Sequence, residues 1–148
     1  MSLEKLTYSG SKCNNYVYLS IHGEYFDLDK ITNELKVQPT SVKLKKEPVP
    51  KKTSWIYKIE VGKDADLATP TEKLIEIFEL KIDQINRLKK EKNLETRLQY
   101  VIDIDIDPDS STPYFPMSKR IINFLYKTQT TVDFDIYKAD TIGVFENE

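Results

Sequence analysis

Leu98, Tyr100, Ile102, Ile104 and Ile106 alternate with Gln99, Val101, Asp103, Asp105 and Asp107 until Pro108 ends the run. A period of two puts each set on its own side of an extended chain, and a side this apolar must press against a second layer. The same rhythm returns elsewhere. Val17, Leu19 and Ile21 oppose Tyr16, Tyr18, Ser20 and His22. Trp55, Tyr57, Ile59 and Val61 alternate with Ile56, Lys58 and Glu60 up to Gly62. Val132, Phe134 and Ile136 alternate with Asp133, Asp135 and Tyr137. Val42 and Leu44, set between Lys43 and Lys45, add a shorter edge-like strand. Pro48 and Pro50 break the chain before the Trp55 strand, with which the short strand is expected to pair.

Between these strands the period changes to that of helices. Asp27 suits an N-cap, and Phe26 and Ile31 stand where a hydrophobic staple needs them. A helix is expected from Leu28 to Lys36, buried through Ile31 and Leu35 and halted ahead of Pro39. Thr69-Pro70-Thr71-Glu72 reads as a capping box with proline at the first helical position. Leu74, Ile75, Phe78, Ile82, Ile85 and Leu88 then predict one long helix over Pro70 to Lys90. A last helix, Ser118 to Lys127, would be buried through Ile121, Ile122 and Leu125. The order β-α-β-β-α-β-α-β predicts an α+β, ferredoxin-like two-layer sandwich, with helices on one face of a mostly antiparallel sheet and the other face open. The first and last strand–helix–strand units look alike.

A chain of 148 residues is one domain by length. Residues 1–15 form a polar leader and 16–148 the folded unit on this reading. A net charge of -2 removes the broad attraction of a dedicated nucleic-acid binder. The single cysteine, Cys13, excludes an internal disulfide. No run of residues approaches a membrane span and the first twenty lack a signal pattern, so a cytoplasmic protein is expected. Arg87, Arg97 and Arg120 are the only arginines, which counts against a phosphate-handling site. No P-loop, dinucleotide fingerprint or zinc spacing occurs, so no cofactor is expected.

The first alternating strand followed by Leu28-Asp29-Lys30-Ile31, then Leu35 and Pro39-Thr40, resembles a bacterial family known as domain of unknown function 4279. Trp55 opening a strand, the long central helix and Asp133-Phe134-Asp135-Ile136-Tyr137 continue the resemblance, which spans about Tyr16 to Tyr137. It implies an α+β domain without an assigned activity.

Asp103, Asp105, Asp107 and Asp109, with Asp133 and Asp135, are the one unusual constellation. Neighbouring acidic strands would gather carboxylates on the open face, where oxygen ligands suit Ca²⁺ or Mg²⁺. The calcium-loop pattern fails, since Pro108 replaces the turn glycine and Tyr114 the terminal glutamate. A solvated, aggregation-blunting face is the simpler reading, and no metal site is assigned. His22, the sole histidine, could serve as base to Ser20 with an aspartate as orienter. No glycine-rich oxyanion turn accompanies it, so it reads as a surface histidine and no catalytic residue is assigned. Tyr16 and Tyr18 suggest base stacking, but the acidic neighbours would repel a nucleic-acid backbone.

The leading expectation is a non-enzymatic binding module that takes an unidentified protein partner on its open face, a basic one if it acts as immunity proteins do. Tyr16, Tyr18, His22, Lys58, Asp103, Asp105, Asp133 and Asp135 are its expected contacts. The alternative is a divalent-cation-dependent small-ligand site or small enzyme built on the aspartates with His22. The chain is expected to be a monomer or a homodimer.

Overall fold

The computed structural model describes residues 10–142. Its strands are β1 (Asn15–Gly23), β2 (Ser41–Lys43), β3 (Thr53–Gly62), β4 (Glu95–Asp105) and β5 (Thr131–Ala139). Its helices are α1 (Leu28–Leu35), α2 (Ala68–Phe78), α3 (Ile82–Lys92) and α4 (Lys119–Thr128). Part of the expected leader, residues 1–9, lies outside the described residues. From Ser11 the chain is tied to the domain: the Ser11 amide donates to the Asp140 carbonyl at 2.7 Å, and the Asn14 amide to Asp103 Oδ2 at 2.7 Å.

The sheet order is β2-β3-β1-β4-β5. The first four strands are antiparallel to their neighbours, and β5 joins β4 in parallel. The architecture is α+β, with a mostly antiparallel sheet backed by helices. Two interlocked split βαβ units build the antiparallel part. In β1-α1-β2 the strand between is β3; in β3-α2-α3-β4 it is β1. The last unit, β4-α4-β5, differs, because its two strands are adjacent. The likeness of the first and last units is therefore one of element order and not of pairing.

The core lies between the sheet and the helices. Val17, Leu19 and Ile21 of β1, Trp55 of β3, and Leu98, Tyr100 and Ile102 of β4 form one buried cluster with Ile31, Leu35, Leu74, Ile75, Phe78, Ile85, Leu88, Ile121 and Phe124. Trp55 is fully buried, packs edge-on to Phe78, and donates its indole N–H to Thr32 Oγ1 at 3.1 Å. Burying aromatic and aliphatic surface of this kind supplies the main favourable term in folding.

Three helix expectations change. On α4, Ile122 is exposed, and Phe124 joins Ile121 in the core instead. The α2 start comes two residues early, because Asp66 Oδ1 accepts from the Ala68 and Thr69 amides and Oδ2 accepts the Thr69 hydroxyl. The Thr69 side chain is therefore consumed by Asp66 and caps nothing itself. Pro70, now the third helical residue, still falls among amides that have no partner in the helix. The long helix is also interrupted: a 3₁₀ turn at Glu79–Lys81 separates α2 from α3 and leaves Leu80 exposed. By contrast, Asp27 caps α1 through the Asp29 and Lys30 amides, and Ser118 caps α4 through the Ile121 amide.

Candidate functional site

Since the helices share one face, the alternate residues of each strand make up the other. Register across the sheet orders them in rows. Lys58, Tyr18, Gln99 and Asp133 form one row, and Glu60, Tyr16, Val101 and Asp135 the next. Ile56, Ser20, Arg97 and Thr131 form a third. Ser54, His22 and Glu95 end the series at one side.

The middle of this face is aromatic and charged. The Tyr16 and Tyr18 rings stack with centroids 6.2 Å apart, and Lys58 Nζ lies 4.9 Å from the Tyr16 centroid. Burial, with Tyr16 beside it, raises the Tyr18 hydroxyl above its usual range. Asp133 and Asp135 are exposed on β5, and Asp133 Oδ1 accepts the Phe134 amide at 2.9 Å. Ile56, Ser20, Gln99 and Val101 are buried beneath the longer side chains, so the face has a closed apolar and amide floor.

His22 lies on this face but is 6 % exposed. Its Nε2 is 3.2 Å from Glu95 Oε2, and its Nδ1 is 3.2 Å from Ser20 Oγ. An ionised carboxylate only accepts, so Nε2 carries the proton and the Ser20 hydroxyl donates to Nδ1. Burial, helped by Arg97 and Lys52, lowers the His22 pKa and keeps the ring neutral. Lys52 Nζ binds the same Glu95 oxygen at 3.0 Å, and this bond lowers the Glu95 pKa. The orienting carboxylate is thus a glutamate, where the sequence reading looked for an aspartate. Glu95 was legible in principle, being in phase with Arg97 and Gln99 at the start of β4. The chemistry available is that of a neutral base hydrogen-bonded to a hydroxyl. β1 lies between two ladders, which take up its backbone N–H groups and leave no pair beside Ser20 for an oxyanion.

Asp103 and Asp105 sit at the far end of β4. Ten residues of strand, roughly 33 Å at the usual rise, separate Glu95 and its partner His22 from Asp105. The aspartates and His22 therefore do not form one centre. Asp105 accepts from the Ser110 hydroxyl at 3.0 Å, the Asp107 amide at 3.1 Å, and both the amide and hydroxyl of Thr141. These donors, the Thr141 hydroxyl foremost, hold its carboxyl at about 2. Asp103 accepts the Asn14 amide, while its own amide donates to Asn15 Oδ1 at 2.7 Å. Both carboxylates organise the chain around a cleft of about 1270 Å³, whose lining includes Cys13, Lys63, Asp64 and Ser111. Among the described residues no group of three or more histidine, cysteine or acidic side chains is placed to hold a metal ion. Asp133 and Asp135 stand opposite Gln99 and Val101, nearer the tyrosines than the cleft.

Arg97, one of the three arginines, is not among the contacts expected from the sequence, yet it lies on the open face between Ser20 and Thr131. A family model described as Domain of unknown function (DUF4279) matches residues 11–139. The chain belongs to this family. No curated protein and no solved structure matches it. The matched span takes in all five strands and all four helices of the described residues. No described helix is long and apolar enough to cross a membrane.

Proposed function

We propose that this DUF4279 domain is a protein-binding module and that Tyr16, Tyr18, Lys58, Arg97, Asp133 and Asp135 form its contact surface. The carrying observation is the stacked tyrosine pair, flanked by Lys58, on the face that no described helix covers. Tyrosine and arginine are the residues that most often anchor interfaces, because each buries a large stiff or planar group with polar edges. The buried floor beneath them limits the entropy lost when the rings are fixed by a partner. β3 and β4 carry both signs on this face, with Lys58 paired to Glu60 at 2.7 Å and Arg97 two residues from Glu95, whereas the charges of β5 there are the negative Asp133 and Asp135. A partner would therefore meet β5 with basic residues, as a basic protein neutralised by an immunity-like module would.

The test is affinity capture from the host's lysate with native chain and with Tyr18→Ser plus Arg97→Ser. Both baits are first compared by circular dichroism melting. A partner held by the native bait and lost by the equally folded variant supports the reading. Equal retention on both baits removes the face from the account.

A further inference from the structure

The two edges of the sheet carry opposite charge in matching positions. On β2, Val42 is paired with Trp55 and lies on the helix-bearing side, while Lys43 lies on the open side. On β5, Ile136 is paired with Ile102 on the helix-bearing side, while Asp135 lies on the open side. Val42 is 48 % exposed and Ile136 58 % exposed, although each extends a row that is buried further in. Leu44 and Phe134 continue the exposed apolar positions beyond them. Neither Lys43 nor Asp135 has an ion pair among the described residues.

We propose that copies of this chain associate edge to edge, the β5 strand of one adding to the β2 strand of the next, with Lys43 opposite Asp135 and Val42 opposite Ile136. Strand direction agrees with this. β2 runs with β1, whereas β4 and β5 run against β1. Copies placed side by side with their helices on the same side therefore bring β5 and β2 together antiparallel. Antiparallel pairing with Lys43 opposite Asp135 also sets Val42 opposite Ile136, so the apolar pair and the ion pair fall on their proper faces in a single register. A symmetric β5–β5 joint would instead set Asp133 and Asp135 against their own copies, which like-charge repulsion disfavours. A β5-to-β2 joint is heterologous, so it propagates as a ring or a twisted ribbon. With strand-to-strand twist of about 20–25°, five strands turn each copy by roughly 100–125° relative to the last.

Charged edge strands also keep sheets apart, and the experiment separates the two roles. Sedimentation velocity over a concentration series is run on the native chain, on Lys43→Glu, on Asp135→Lys, and on a one-to-one mixture of the two variants. The native chain is expected to pass beyond the dimer as concentration rises. Each variant alone should stay monomeric, since one of its edges repels the other. The mixture should pass beyond the dimer again, because the native β5 of the Lys43→Glu chain meets the native β2 of the Asp135→Lys chain, and at the next joint the two substituted positions meet with their charges exchanged. In the Cys13→Ser background, Val42→Cys plus Ile136→Cys should give disulfide-linked ladders under mild oxidation, which captures a joint too weak for sedimentation. A native chain that stays monomeric and a cysteine pair that gives no ladder would together overturn the proposal. So would assembly of the native chain that neither Lys43→Glu nor Asp135→Lys weakens, which would place the joint elsewhere than between these two edges. These readouts use purified protein and leave Tyr18 and Arg97 intact, so they stand or fall apart from the binding-module reading.

Discussion

Lys89 offers the sharpest test of how the end of the sheet is held. Its ammonium donates to the Thr96 hydroxyl at 3.0 Å, the Thr128 carbonyl at 2.5 Å and the Gln129 carbonyl at 3.2 Å. The two carbonyls belong to the last turn of α4, where the helix itself supplies no donors. Thr96 opens β4, and the α4 turn launches β5, so one side chain from α3 fixes both strands. Lys89→Met keeps the apolar stem and removes the donors. Bonds to a charged donor are worth about 1.5–3 kcal/mol each at most, and the desolvation of the ammonium opposes them. Water can replace the bond to the exposed Gln129, so the buried Thr128 and Thr96 contacts decide the outcome, at about 1–2 kcal/mol net. For a domain of this size that is a fall in Tm of about 3–10 °C, read by circular dichroism. The pH dependence gives a second signature. Burial lowers the Lys89 pKa from 10.5, so the unfolded chain binds more protons between the folded value and 10.5. Native stability should rise with pH through that window, and the Met variant should lack this contribution. A Met variant that melts at or above the native temperature would mean that ammonium desolvation outweighs the three bonds, and the assigned role would be wrong.

Two titrating groups supply further predictions. The His22 pKa is lowered in the fold, so the unfolded chain takes up the proton first as pH falls. Stability should be full above the ordinary value of 6.5 and decline as pH drops toward the folded pKa; His22→Gln should flatten that decline in urea midpoints measured from about pH 7.5 to about pH 5. Asp105 behaves in the opposite region of the scale, with its carboxyl held at about 2 against an ordinary 3.8. Its contribution is present above 3.8 and lost as pH falls toward 2, so Asp105→Asn should lower Tm at neutral pH and remove part of the acid sensitivity. Unchanged acid midpoints in Asp105→Asn would show that the Ser110 and Thr141 donors do not favour the charged form.

Strands were the most legible part of the sequence, because a period of two is set by each strand alone and needs no knowledge of neighbours. The membership of the open face followed from it: Tyr16, Tyr18, His22, Lys58, Asp133 and Asp135 do share one side. Burial within that face was not legible, since it depends on strand order. His22 and Ser20 are covered because β1 is central, with β3 and β4 on its two sides. The role of Asp105 was hidden for a related reason, as its partners Ser110 and Thr141 come from two separate loops. The early start of α2 was obscured by a capping box whose threonine hydroxyl Asp66 had already claimed. The interruption at Glu79–Lys81 left an apolar spacing that one straight helix explains equally well.

The placement of the acidic strand is a consequence of topology. When α4 returns the chain to the sheet beside β4, the inner side of β4 is already occupied by β1. β5 can therefore pair only on the outer side, which makes it an edge, and its alternation then sends Asp133 and Asp135 to the open face. The same logic makes β2 the opposite edge, because β3 folds back between β2 and β1. Lys43 and Asp135 thus mark the two ends of one sheet, and the tyrosine pair occupies a central strand between them. Replacing Asp135 by lysine perturbs an edge and a proposed contact at once, whereas Lys43→Glu perturbs an edge residue outside the proposed contacts. A partner lost on Asp135→Lys but kept on Lys43→Glu would therefore assign Asp135 to the face that β1 and β4 present, and self-association lost on both would assign it to the joint between copies.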